Sequence, residues 1–492
     1  MSTNHSPNPA AIRARLNHPV IDADGHWLEF GPAVADYLKR VGGDRVASAF
    51  RAFGDRITHI LTLTPQDRHT RRRAQEAWWA FPTRNTIDRA TSMLPKLLHE
   101  RLPELGIDFA VLYPTAGLGV PFIPNDELRR ATCHAFNQFM AENFGAYSDR
   151  MTPAAVIPMH TPEEAIEELE HAVKTLKLKV VLMASMLRRP IAALAEKAPE
   201  AVRYANWYDM LGIDSDYNYD PVWEKCVELG VAPTFHSGSR GVGLRNSPSN
   251  FTYNHIGHFA AASEAVCKAI FLGGVTRRFP TLNFAFLEGG VGWACGLYSD
   301  LIGHWKKRNA RALEDVDPRK LDREKLADLF KRYGGDGAIE MLRQSRELSD
   351  VSWVMAEAPP VLDDYQACGI ERAADIRALF VKNFYFGCEA DDPLNAWAFN
   401  DRVNPFGAKL NTLFGSDIGH FDVPDMNEVL PEAYELVEDG LITDADFRDF
   451  VFANPVRFWG DSNPDFFQGT AVERDARALL SAAARQAAAG TK

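Results

Sequence analysis

The chain has 492 residues, 46% hydrophobic and 24% charged, which is ordinary for a soluble globular protein and ample for a large core. A formal charge of -12 argues against a nucleic-acid-binding or anionic-membrane-binding surface. No apolar run approaches the ~18 residues of a spanning helix, and the N-terminus "MSTNHSPNPAAIRARLNHP" lacks the apolar stretch of a secretory signal.

Residues 1–19 read as a polar tail. The first strand candidate is Val20–Asp24, and it runs directly into Gly25 and His26. Alternate strand residues share a side, so Asp24 and His26 can face one ion. The competing reading is a turn, because Asp and Gly routinely end strands. Residues 30–107 are rich in Arg and Trp ("RRRAQEAWWAFPTRN") and exceed what a minimal fold needs. Strand candidates follow at Phe109–Tyr113, Ala154–Ile157 and Leu178–Met183, with helical stretches such as "PNDELRRATCHAFNQFMAENF" and "TPEEAIEELEHAVKTLK" between them. The latter opens on Thr-Pro and acidic residues and closes on lysines, the polarity a helix dipole favours.

A second insertion spans residues 187–219. Further strands are expected at Ala232–His236 and Asn283–Glu288. A third insertion, charged and helical in pattern, spans about 299–377. The last two strand candidates are Asn383–Gly387 and Leu413–Ser416, and residues 461–492 read as a C-terminal tail with a helix. Eight strands alternating with helices predict an α/β fold, a (β/α)8 TIM-like barrel over residues 20–460 whose helical insertions form a cap. A doubly wound open sheet is the rival. The six cysteines are scattered without a C-x-x-C, which fits reduced thiols and a cytoplasmic protein.

The strand ends carry the chemistry. His236 ends "TFHSG", Glu288 ends "FLEGG", Glu389 follows in "CEADD", and Asp417 and His420 follow in "FGSDIGH". In a barrel these tips meet on the face where barrel enzymes carry their sites. Carboxylates gathered there would repel unless a cation held them, so the set reads as a metal site. Each residue also has a plainer reading: a buried histidine bonded to backbone, or an aspartate capping a helix. Glu288 is the hardest to explain that way, because an acid ending an apolar strand is costly to bury alone.

These motifs resemble the amidohydrolase superfamily, in the branch similar to aminocarboxymuconate-semialdehyde decarboxylase. "GGVTRRFPTLNFAFLEGG" resembles that branch's run into strand six, and "SDRMTPAAVIPMHTPEEAIEELEHAV" resembles its third-strand unit. The resemblance implies a distorted (β/α)8 barrel with one or two divalent ions. It implies Asp24 and His26 as the strand-one ligand pair, His236 as the strand-five ligand and Asp417 as the strand-eight aspartate. Glu288 departs from the family's usual histidine, and no lysine stands at Met183–Ala184 to bridge two ions. The oxygen-rich set suits zinc first, with manganese or iron as alternatives. His420 and His258 are candidates for a second ion's shell, although His258 also reads as a helix-start histidine on a solvated face.

The expected activity is metal-dependent hydrolysis through an activated water, with Asp417 as general base and Glu288 beside it. Metal-dependent decarboxylation is the alternative. A dinuclear iron or manganese oxygenase and a non-catalytic subunit of a paralogous pair are further ones. Arg240 and Arg245 in "HSGSRGVGLRN" could clamp an acidic small-molecule substrate. Trp78, Trp79, Phe81, Trp207 and Tyr208 could wall a ring-shaped pocket. The long insertions suggest a homo-oligomer or a paralogous partner.

Overall fold

The computed structural model describes residues 8–79, 83–344 and 361–490. Eight parallel strands follow one another around a nearly closed barrel. They are β1 (Ile21–Trp27), β2 (Phe109–Pro114), β3 (Met151–Ile157), β4 (Val180–Met183), β5 (Pro233–Phe235), β6 (Phe284–Phe286), β7 (Phe384–Glu389) and β8 (Asn411–Gly415). The sequence of β4 is VVLM and that of β2 FAVLYP, and both are buried at every position. Helices cover one side of such strands and the barrel interior the other, so apolar runs replace alternation.

β1 breaks that rule. Asp22, Asp24 and His26 are all buried in it. The strand does not stop at Asp24: it continues through His26, which pairs with Tyr113, to Trp27. An extra residue bulges it between Asp22 and Gly25, and such a bulge re-aims the side chains around it. β6 ends earlier than its apolar run predicts, because Glu288 adopts a left-handed backbone at φ 50° and leaves the extended path.

Among the described residues no regular ladder joins β8 to β1. The seam is closed instead by Asp417 N donating to Asp24 O at 3.0 Å and His26 N donating to Ile418 O at 2.8 Å. Gly415 permits this approach, since a Cβ there would lie 3.1 Å from Asp24 Cβ.

Residues 30–107 begin with the long helix Gly31–Leu61, which lies against the helix Asp126–Phe144. Residues 187–219 hold an antiparallel hairpin, Leu187–Pro190 with Asn206–Asp209. The helix Gly292–Arg308 follows β6 and runs on into the third insertion. Beyond residue 460, Phe466 and Phe467 are buried, Phe466 stacking on Trp459, and the helix Glu473–Gly490 follows. All six cysteines are free and buried. No helix among the described residues is long and apolar enough to cross a membrane.

Candidate metal centre at the barrel mouth

The seam between β1 and β8 positions the first donors. Asp22 Oδ1 accepts from Asp24 N at 3.1 Å and from Ser416 N at 3.0 Å, and Ser416 Oγ donates to Asp22 Oδ2 at 2.6 Å. One buried carboxylate therefore ties the backbone beside Asp24 to the backbone beside Asp417. Asp417 and Glu288 both hold left-handed backbone, at φ 49° and 50°. Non-glycine residues there cost on the order of 1–3 kcal/mol each and cluster at functional sites.

The structure brings Asp24, His26, His236, Glu288 and Asp417 together. His26 Nε2 lies 3.8 Å from Asp24 Oδ1 and 3.4 Å from Asp417 Oδ1. His236 Nε2 lies 3.7 Å from Asp24 Oδ2 and 3.1 Å from Glu288 Oε2. The two imidazoles stand nearly perpendicular, 85° apart in plane. All five side chains are less than a tenth exposed.

Buried polar atoms are almost always hydrogen-bonded. Here Asp24 Oδ1, both nitrogens of His26 and of His236, Glu288 Oε2 and Asp417 Oδ1 are buried without a hydrogen bond. Their lone pairs converge, and a divalent cation supplies the partner that they lack. Asp24, His26 and His236 offer one ligand atom each within 4.8 Å of one another, and Glu288, Asp417, His420 and Asp422 do the same. The donor set fits a divalent metal ion.

The electrostatics agree. Burial raises the Asp24 carboxyl well above its usual range, and Glu288 and Asp417 add to the rise while His236 opposes it. Glu288 is raised by burial and by Asp417. His26 is lowered by burial, with His236 and His420 contributing. Burial alone would lower His420, but Asp417, Asp422 and Glu288 outweigh it and raise it to about 11. Without a cation the carboxylates resist ionising, as crowded acids must.

Aromatic rings roof the mouth. Trp79 meets Phe251 at 5.0 Å and Phe421 at 6.2 Å, and Phe251 stacks on His255 at 4.8 Å. The segment before Trp79 is pinned to the loop after β5: Gln75 N donates to Ser247 O at 2.8 Å, and Asn254 Nδ2 to Gln75 O at 3.2 Å. Beneath lies a cavity of about 430 Å³ lined by His255, His258, Phe259, Glu288, Glu389 and Asp422, among others.

Arg240 stands at this rim, 3.0 Å from Glu76 and over the Phe251 ring. Arg245 turns its Nε to Ile256 O at 3.4 Å. His258 does start a helix, His258–Leu272, but it is buried rather than solvated and belongs to neither donor group. It fills the space above Gly238, where a Cβ would sit 2.5 Å from its Nδ1. Trp78 is 87% exposed, and Trp207 and Tyr208 lie in the hairpin, so of the four aromatic candidates among the described residues only Trp79 reaches the roof. Phe81 lies outside the described residues.

Sequence reasoning missed Asp22 and Asp422. Asp22 precedes the D-x-H pair by two residues, and Asp422 stands two beyond His420 in "SDIGHFD". That D-x-x-H-x-D spacing was the available signal. Another cleft, about 480 Å³, lies on the outside of the barrel. Its carboxylates Glu164 and Glu168 are held by Arg129 and Asn137, so it reads as structural.

The profile of the amidohydrolase family matches residues 21–338, more than half of the chain. No curated protein matches it. Among solved structures, an amidohydrolase from Mycobacterium avium subsp. paratuberculosis K-10 is 18% identical with TM-score 0.50, covering 90% of this chain and 100% of its own. The 5-carboxyvanillate decarboxylase from Sphingomonas paucimobilis is 15% identical with TM-score 0.48, covering 90% and 98%. A dihydroxybenzoic acid decarboxylase from Polaromonas sp. JS666, with bound manganese and the inhibitor 2-nitroresorcinol, is 16% identical with TM-score 0.47, covering 92% and 99%. At these identities the likeness speaks to the fold alone.

Proposed function

The chain belongs to the amidohydrolase family, and from that premise we propose that it is a metal-dependent carboxy-lyase for a small ring-bearing acid. The observation that carries this reading is the enclosure of the donors. Five side chains less than a tenth exposed lie under a roof of rings, with a guanidinium at the rim. Hydrolysis consumes a water, whereas decarboxylation needs none. Burial of these donors also favours loss of CO2, because the charge localised on a carboxylate spreads as the bond breaks.

Asp24, His26, His236 and Asp417 would hold a divalent ion, which when bound would supply Lewis acidity toward a substrate oxygen. We assign zinc as the first candidate, since two imidazoles and carboxylates suit it, with manganese or iron as alternatives. The rings of His255, His258 and Phe259 line the space for a flat substrate. Arg240 offers its guanidinium to the departing carboxylate in bidentate geometry. The C–C bond to the carboxylate breaks, CO2 leaves, and the electron pair stays on the ring carbon. A proton closes the step. Glu389 lines the cavity and is raised to about 9, by burial first and by Glu288 and Asp417 next, so it holds a proton at neutral pH.

The test offers the metal-loaded protein aromatic acids beside matched amides and esters, in D2O. The expected result is CO2 release with deuterium at the vacated ring carbon, lost in Glu389→Gln and in His236→Ala. Turnover of amides or esters without CO2 release from any acid would overturn the reading in favour of a hydrolase using Asp417 as base.

A further inference from the structure

His258 lines the cavity beside the metal donors, is 4% exposed, and has no hydrogen bond at either ring nitrogen. Its backbone is pinned, because Ser239 N and Ser239 Oγ both donate to His258 O, at 3.1 and 2.7 Å. Burial lowers the imidazole to about 2, with His255 and Arg240 adding to the fall, so the ring is neutral. A neutral imidazole keeps one acceptor nitrogen and one donor nitrogen. An acceptor held there without a partner is costly in the empty protein, and a ligand's N–H or O–H relieves it.

The same cavity is acidic. Of its carboxylates, Glu288 belongs with the metal donors, Asp422 stands beside His420, and Glu389 is assigned the proton. Asp391 and Asp392, in the loop after β7, have no such task. Among the described residues neither forms an ion pair. Asp392 Oδ1 accepts from Leu394 N at 2.9 Å. Its Oδ2 stands over Gly290, which also lines the cavity: a Cβ there would lie 2.8 Å from that oxygen, and the backbone is left-handed at φ 66°. Glycine therefore leaves the second oxygen room at the cavity wall. Burial raises the Asp392 carboxyl, the Leu394 N–H opposes the rise and Asp391 adds to it, as happens to an acid without a countercharge.

Neither aspartate joins a group of three donors close enough to share one metal ion. Their spacing suits a larger, organic cation. We propose that the substrate carries a basic amine, with Asp391 and Asp392 receiving its ammonium group and His258 accepting a hydrogen bond from it. This names the substrate class of the carboxy-lyase reading and rests on that reading for the acid half alone. A plain acid would meet repulsion from these carboxylates. A zwitterion meets Arg240 at the rim with one end and the aspartates with the other, which fixes its orientation. A hydroxyl would serve His258 as well, but it leaves both aspartates without a countercharge.

The experiment titrates the zinc-loaded full chain with benzylamine and with benzyl alcohol in a calorimeter. Benzylamine should bind at least about tenfold more tightly, as charge-assisted hydrogen bonds require. The double variant Asp391→Asn, Asp392→Asn should abolish that preference; asparagine can still accept from Leu394 N, so the loop keeps its bond. His258→Phe should weaken binding of both probes, and the double variant decides the matter if His258→Phe does not fold. Equal binding of the two probes by the parent overturns the proposal. So does an undiminished preference in the double variant, which marks an amine that only ligates the zinc ion. A second pair, 4-(aminomethyl)benzoate and 4-methylbenzoate, is offered for CO2 release. Preference for the amine without CO2 from either acid removes the carboxy-lyase reading and leaves the cation site standing. Equal CO2 release from both acids removes the cation site and leaves the carboxy-lyase.

Discussion

Asparagine and alanine at position 22 separate two roles of one buried carboxyl. Asp22 is fully enclosed, and burial raises it from 3.8 to about 7 while its bonds from Ser416 oppose the rise. Below neutrality it carries a proton in the metal-free protein. A protonated Oδ2 can donate to Ser416 Oγ, while Oδ1 still accepts from Asp24 N and Ser416 N. Asparagine reproduces that pattern: its carbonyl accepts twice and its amide donates once. Alanine leaves two buried N–H groups without an acceptor, at about 1–3 kcal/mol each.

Because the folded value is raised, the stabilising contribution of Asp22 is fully present below pH 3.8 and is lost as pH climbs through about 7. A rise of that size corresponds to about 4 kcal/mol, a large part of an ordinary folding stability of about 5–15 kcal/mol. Urea unfolding of chelator-treated protein, followed by tryptophan fluorescence at pH 5 and pH 8, measures it. Asp22→Asn should exceed the parent by about 2 kcal/mol at pH 5 and by about 4 kcal/mol at pH 8. Asp22→Ala should fall below Asp22→Asn at either pH, by about 2–6 kcal/mol. If alanine and asparagine coincide, or if the parent–asparagine difference ignores pH, the seam is not held as described.

His236→Ala should lose most bound metal, whereas Asp417→Asn keeps an oxygen donor and should retain more metal and correspondingly more turnover; equal metal in His236→Ala and parent would make the histidine structural. Metal binding should release protons and weaken as pH falls, since the raised carboxyls of Asp24 and Glu288 must ionise first; calorimetry in buffers of different ionisation enthalpy would show no proton release if this is wrong. Arg240→Met should raise KM for an acid substrate at least as much as it lowers kcat, and an unchanged KM would free Arg240 from carboxylate binding. Light scattering should give a multiple of 54.9 kDa, because Trp78, Leu244 and Ile256 are each at least 70% exposed; a species of 54.9 kDa alone refutes it.

The eight barrel strands were legible because parallel strands are apolar on both faces and their runs stand out from the amphipathic helices between them. The donors were legible for a related reason. A carboxylate or imidazole at the end of an apolar run has no ordinary place in a core, so Asp24, His26, His236, Glu288 and Asp417 announced themselves one strand at a time. What one-dimensional order could not carry was direction. The bulge in β1, the left-handed backbone at Glu288 and Asp417, and the opposite aims of the two Asp417 oxygens are set by neighbouring strands. Asp22 and Asp422 escaped notice because their roles depend on partners hundreds of residues away or on a cluster that exists only at the mouth. His258 looked like a solvated helix start and is buried, since the loop after β5 folds back over it. The sequence by itself determined which residue types arrive at the barrel mouth, because burial of apolar strands dictates where each run ends. Only the tertiary structure decided how those residues divide into groups, because ligand geometry depends on the closure of the barrel between its first strand and its last.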